Sequence, residues 1–184
     1  MALQYAGIQV EHREIELRNK PQSMLLVSPK GTVPVLCVDG IILEQSLDIM
    51  HWALAKSDPD GWGLVDDSIA QAWIEKNDGP FKILLDQYKY PKRYPDLKSE
   101  EVLRAVNELM LLPMEAALQT NLYLLGNNMT WVDVAIFPFI RQFAMVNPEQ
   151  FDELPFPSIQ KWLDQQIESE LFHSVMHKHS TWID

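Results

Sequence analysis

Residues 30–50 read "KGTVPVLCVDGIILEQSLDIM". The run from Val33 to Val38 is continuously apolar, as in a strand covered on both faces. It nevertheless contains Pro34, which has no backbone N–H to give to a ladder and so marks a first strand position, an edge or a bulge. Asp39-Gly40 is the strongest short hairpin signal, and Ile41 to Glu44 complete the pair. Beyond it, a helix is expected over 46–55, because Leu47, Ile49, Met50, Ala53 and Leu54 fall on one face.

Working outward, Met1 to Ala6 favour a helix that Gly7 stops, although no Ser, Thr, Asp or Asn precedes it as a cap. Ile8, Val10, Ile15 and Leu17 alternate with charged residues and predict a strand over 8–17, followed by a loop to residue 32. The Asp, Pro and Gly cluster in "KSDPDGWG" (56–63) marks a boundary. Everything after it reads as helix: 66–89 interrupted at Gly79-Pro80, 99–120 opened by Ser99 and kinked near Pro113, 130–146, 157–169, and a short element at 170–177. The expected division is a small α/β domain over 1–56, a linker over 57–65 and an all-helical domain over 66–184.

Fifteen Lys and Arg stand against 26 Asp and Glu, a net charge of -11. Such a balance repels phosphate backbones and argues against nucleic acid as a partner. No stretch approaches the roughly 18–20 apolar residues of a membrane span, and no basic-then-apolar leader opens the chain, so no membrane partner and a cytoplasmic location are expected. Cys37 is the only cysteine, which precludes an intrachain disulfide and fits a reducing compartment. Lying in an apolar run, it is expected to be an inert core residue.

Several features carry less. His173 and His177 have the i, i+4 spacing of metal ligands, and His179 follows, but histidines in such a tail are expected to be solvated, and no metal is expected. "YKYPKRYP" (88–95) mixes aromatics with Lys89, Lys92 and Arg93 and reads as a solvated interhelical loop rather than an anion dock. Trp62, Trp73, Trp131 and Trp162 are expected in the core.

In "MTWVDVAIFPF" (129–139), Thr130 and Asp133 have the spacing of a capping box, with Met129 and Val134 as its hydrophobic staple. Together with the Val-Pro bond, the hairpin and the helix opening at Gln45-Ser46, this resembles the glutathione S-transferase family over essentially the whole chain. The resemblance implies an α/β thioredoxin-like N-terminal domain followed by an all-α C-terminal domain, and a homodimer. It implies that Val33-Pro34 is cis, which turns the Val33 backbone outward to pair with the cysteinyl main chain of glutathione like an added strand. It also implies that Gln45 and Ser46 hold the γ-glutamyl end, its amine near Gln45 and its carboxylate at Ser46. On its own terms Ser46 stands at a helix N-terminus, where free N–H groups and the helix dipole attract an anion. A simple capping role for Ser46 remains the alternative. Glutathione is thus the implied co-substrate, and one face of helix 66–89 the implied lining for a small electrophile.

The chain departs from the family at its start. The family's first strand, which ends in the Tyr, Ser or Cys that acts on sulfur, finds no counterpart before "MALQYAG", so the catalytic residue is unknown and a truncated N-terminus is expected. A strand missing between 9–17 and 34–38 would leave its neighbours about 9.5 Å apart, too far to hydrogen-bond. The expected repair is that 9–17 shifts to pair directly with 34–38 or that another chain supplies a strand, with disorder as the third possibility. The resemblance therefore implies transfer of glutathione to an electrophile by the intact enzyme, with a non-catalytic glutathione-binding or scaffold protein as the alternative.

Overall fold

The computed structural model describes residues 1–184. It divides into two compact units, 1–60 with 170–184 and 61–169. The segment 170–184, expected with the helical domain, groups with the N-terminal unit.

In the N-terminal unit, helix α1 (Ala2–Tyr5) ends at Gly7, whose φ of 69° gives the chain its turn away from the helix. Tyr5 latches this end, donating from its hydroxyl to Asp58 (2.9 Å) and accepting from the Asp60 N–H (2.7 Å). The expected strand over 8–17 does not form: its backbone makes only isolated bridges, Glu14 with Thr181 and Glu16 with Asn19. Alternation can mark a face, but a strand exists only when a neighbour takes its hydrogen bonds. A second helix, α2 (Gln22–Val27), occupies part of the expected loop.

The hairpin forms as expected but is shorter, β1 (Leu36–Val38) against β2 (Ile41–Leu43), antiparallel with Leu36 opposite Leu43. Asp39 (φ 48°) and Gly40 (φ 78°) both adopt positive φ, the signature of a type I′ turn. These two strands make up the sheet. The first expected repair is not seen, since 9–17 does not pair with β1 and Glu14 takes its bridge from Thr181. Helix α3 (Ser46–Lys56) follows the hairpin, burying Ile49, Met50 and Ala53 and packing on α1.

The helical unit begins with α4 (Asp67–Lys76), capped by Asp66, whose carboxylate accepts from the Ser68 and Ile69 N–H groups. A π-helical turn over Asn77–Phe81 contains Pro80 and leads into α5 (Lys82–Lys89). The same device recurs where α6 (Ser99–Val106) passes through a π turn, Asn107–Leu111, into α7 (Leu112–Leu118) just before Pro113. In both places the proline withholds an N–H, and the wider turn accommodates the interruption without ending the helix.

Helix α8 (Trp131–Val146) is the centre of this unit, with Ile136, Phe137, Ile140 and Phe143 almost wholly buried. Each such side chain contributes about 1.5–3 kcal/mol through its burial. Short α9 (Pro148–Asp152) and then α10 (Pro157–Ile167) complete the unit. Finally α11 (Glu170–Val175) packs against α1 and returns the chain to the first unit.

The capping box is present: Asp133 Oδ2 accepts from the Thr130 N–H (3.0 Å) and hydroxyl (2.8 Å). Its Oδ1 also accepts from the Leu124 N–H (2.9 Å) and Trp162 Nε1 (3.2 Å), so one carboxylate joins the preceding loop, α8 and α10. Burial raises the Asp133 pKa, against the pull of these donors.

Candidate functional site

The four residues singled out in the sequence lie on the hairpin and the start of α3, and all four are exposed. Leu36 opposite Leu43 is the last pair of the hairpin ladder, so Val33-Pro34 precedes β1 and Gln45-Ser46 follows β2 at the same end of the hairpin. Residues a dozen apart in the chain are thereby brought to one end by the Asp39-Gly40 turn. The Val33-Pro34 peptide bond is cis.

At the other side of the rim, Gln45 is the N-cap of α3 and Ser46 its first helical residue, and no side chain caps the helix. The first intrahelical bond runs from the Ile49 N–H to the Gln45 carbonyl. The first-turn N–H groups before it therefore have no intrahelical acceptor, which suits an incoming carboxylate. This corrects the reading of Ser46 as a simple cap. Asp48, in the same turn, offers the helix dipole a negative charge.

Glu44, one residue before the rim, has a defined use. Its carboxylate accepts from the buried Ser28 hydroxyl (2.6 Å) and from Lys30 Nζ (2.9 Å), and these contacts, that of Ser28 first, lower its pKa. They hold the loop after α2 against the end of β2. Sequence reasoning missed this pair because nothing local links residues 28 and 44.

Cys37 is exposed, contrary to the expectation of an inert core position. The apolar run implied cover on both faces, but the face that carries Cys37 and its partner Ile42 is exposed, and only the opposite face, with Leu36, Val38 and Leu43, is partly covered. Since Val38 and Ile41 close the two-residue turn as a hydrogen-bonded pair, Cys37 and Ile42 form the alternate pair, and the Cys37 N–H and C=O point to the open edge. A shallow recess lined by Val27, Cys37, Val38, Ile41 and Ile42 lies beside the hairpin and includes none of the four rim residues.

The lesser candidates resolve individually. In the 88–95 loop the polar groups pair among themselves and with nearby helices: Tyr88 with Gln150, Lys89 with Gln142, Tyr94 with Asp86, and Arg93 over the Tyr90 ring. His179 stacks on His12, ring centroids 3.9 Å apart. No helix is long and apolar enough to cross a membrane.

Residues 1–61 match the family description "Glutathione S-transferase, N-terminal domain", and residues 81–170 match "Glutathione S-transferase, C-terminal domain". The chain belongs to the glutathione S-transferase family. It is 28% identical over 132 residues to the hematopoietic prostaglandin D synthase of Gallus gallus, a match covering 70% of this chain and 64% of that protein. It is 26% identical over 158 residues to glutathione S-transferase 3 of Caenorhabditis elegans, covering 80% and 73% respectively. The match thus spans less than two thirds of the first of these relatives. Among solved structures, a glutathione transferase family member from Pseudomonas fluorescens with two glutathione bound superposes with a TM-score of 0.72 at 17% identity, covering 94% of this chain and 84% of that one. At that identity the likeness speaks to the fold. The glutathione S-transferase fold is therefore present here as two family domains, with a two-stranded sheet in the first.

Proposed function

We propose that this chain binds glutathione on the rim formed by Val33, Pro34, Gln45 and Ser46, within a glutathione S-transferase that transfers the thiol to a small electrophile. The observation that supports the proposal is that the hairpin leaves Val33-Pro34 and Gln45-Ser46 at the same end, beside an uncapped helix start. The γ-glutamyl carboxylate caps α3, Gln45 faces the amine, and the Val33 backbone pairs with the cysteinyl main chain. The protein acts in the cytoplasm as a homodimer.

A second reading, glutathione binding without turnover, draws on how two hydroxyls of the N-terminal unit are used. Tyr5 is committed to Asp58 and Asp60, and Ser28 to Glu44. Neither is left to stabilise a thiolate, which in this chemistry must be held ionised to attack at neutral pH.

Calorimetric titration with glutathione tests the binding, and a conjugation assay with an aryl halide separates the two readings. The Ser46→Ala variant is expected to bind about tenfold more weakly, the loss of one hydrogen bond to a charged group. Equal affinity of wild type and variant would remove Ser46 from the site. Turnover by the 184-residue chain would contradict the second reading, and binding with no turnover the first.

A further inference from the structure

The segment after α11 is not a loose end. Thr181 bridges Glu14 in parallel fashion, and the Trp182 N–H donates to the Glu14 carbonyl at 2.7 Å. Trp182 is half-buried with the Arg13 guanidinium 4.5 Å from its ring centroid, whereas the next residue, Ile183, is 82% exposed. Asp184 then reaches α2, whose N-cap is Pro21 and has no capping side chain, and its carboxylate accepts from the Ser23 N–H at 3.2 Å. At the near end His179 stacks on His12. Helix α11, docked on α1, delivers the segment to this place.

We propose that residues 12–16, with the start of α2, form a strand-acceptor site whose ligand is this chain's own C-terminal segment, His179–Asp184. The segment acts in cis as a substitute strand that holds an otherwise unpaired stretch of the N-terminal unit. Its recognition elements are backbone pairing at Glu14, the aromatic ring of Trp182 on Arg13, and the acidic side chain of Asp184 on α2. This is strand addition in which main-chain bonds hold the segment and alternate side chains select it. Because the contacts are few and largely exposed, the segment is the part of the unit most readily released. A free peptide of the same sequence competes for the same place.

Hydrogen exchange read by mass spectrometry tests this on the full chain and on a chain ending at Ser180. In the full chain the Trp182 amide is expected to exchange more slowly than that of Ile183, and removal of the last four residues is expected to speed exchange at 22–24 by roughly tenfold or more while leaving α8 unchanged. The peptide His179–Asp184, added in trans, is expected to restore protection at 22–24. Unchanged exchange at 22–24, or an unprotected Trp182 amide in the full chain, would overturn the proposal. Should the shortened chain fail to fold, a full-length Glu14→Cys, Thr181→Cys variant in a Cys37→Ser background decides the matter. A disulfide within one chain supports the site in cis, whereas a link only between chains, or none, contradicts it.

Discussion

Asp133 and Asp184 both serve helix starts, yet their carboxyl groups respond to pH in opposite directions. The bond to Ser23, aided by the Gln22 N–H and the Arg13 charge, lowers the Asp184 pKa in the fold. Its contribution is therefore present above the ordinary aspartate range and is lost as pH falls through the lowered value. Acidification across that window is expected to loosen residues 181–184 in a way that Asp184→Asn abolishes, read from the pH dependence of exchange at Ser23. Asp133 is pushed up by burial, so the stabilisation from its protonation is present below the unfolded value and is lost as pH rises through the raised one. At neutral pH its four donors justify its place. Removing it in Asp133→Ala strands the Leu124 N–H and the Trp162 indole N–H and is expected to cost about 3 kcal/mol or more in denaturant unfolding.

At the scale of elements, the contrast between near and distant caps explains what could be read in advance. The box at Thr130 and Asp133 was legible because its partners are three residues apart, and the Asp39-Gly40 hairpin because its turn chemistry is local. Helix α10 begins at Pro157 with no cap of its own, and Glu115 of α7 supplies it, accepting from the Ser158 and Ile159 N–H groups at 3.1 Å. Asp184 does the same for α2 from 161 residues away. No spacing rule reveals such a cap, and α2 itself went unread because its own residues lack a start signal. Glu115→Ala is expected to destabilise the helical unit by about 1–2 kcal/mol, measured by thermal or urea unfolding. The strand expected over 8–17 did not form although its side-chain alternation was visible, because no strand lies beside it to take its hydrogen bonds, the gap that the start of the chain had already signalled. Cys37 has a related cause, since the run around it assumed an element over both faces and the face shared by Cys37 and Ile42 has none. Native Cys37 is expected to react with a thiol reagent at a rate close to that in denaturant, and strong protection would show that something covers this face.

For the whole molecule, membership in the glutathione S-transferase family rests on both domains, and the family's helical half is intact around α8. The candidate site was legible as residues, because Val33, Pro34, Gln45 and Ser46 sit in one short stretch. Its support was not: the Glu44 link to Ser28 and Lys30 and the C-terminal segment on Glu14 both depend on distant parts of the chain. The N-terminal unit carries the exposed rim beside a two-stranded sheet. The most direct test is a heteronuclear NMR titration of the 184-residue chain with glutathione. Saturable shifts are expected at Val33, Gln45, Ser46 and Leu47 and are weakened by Ser46→Ala; shifts confined to other residues, or none at millimolar glutathione (on the order of 1 mM, the weak-binding limit), would contradict glutathione binding at this rim.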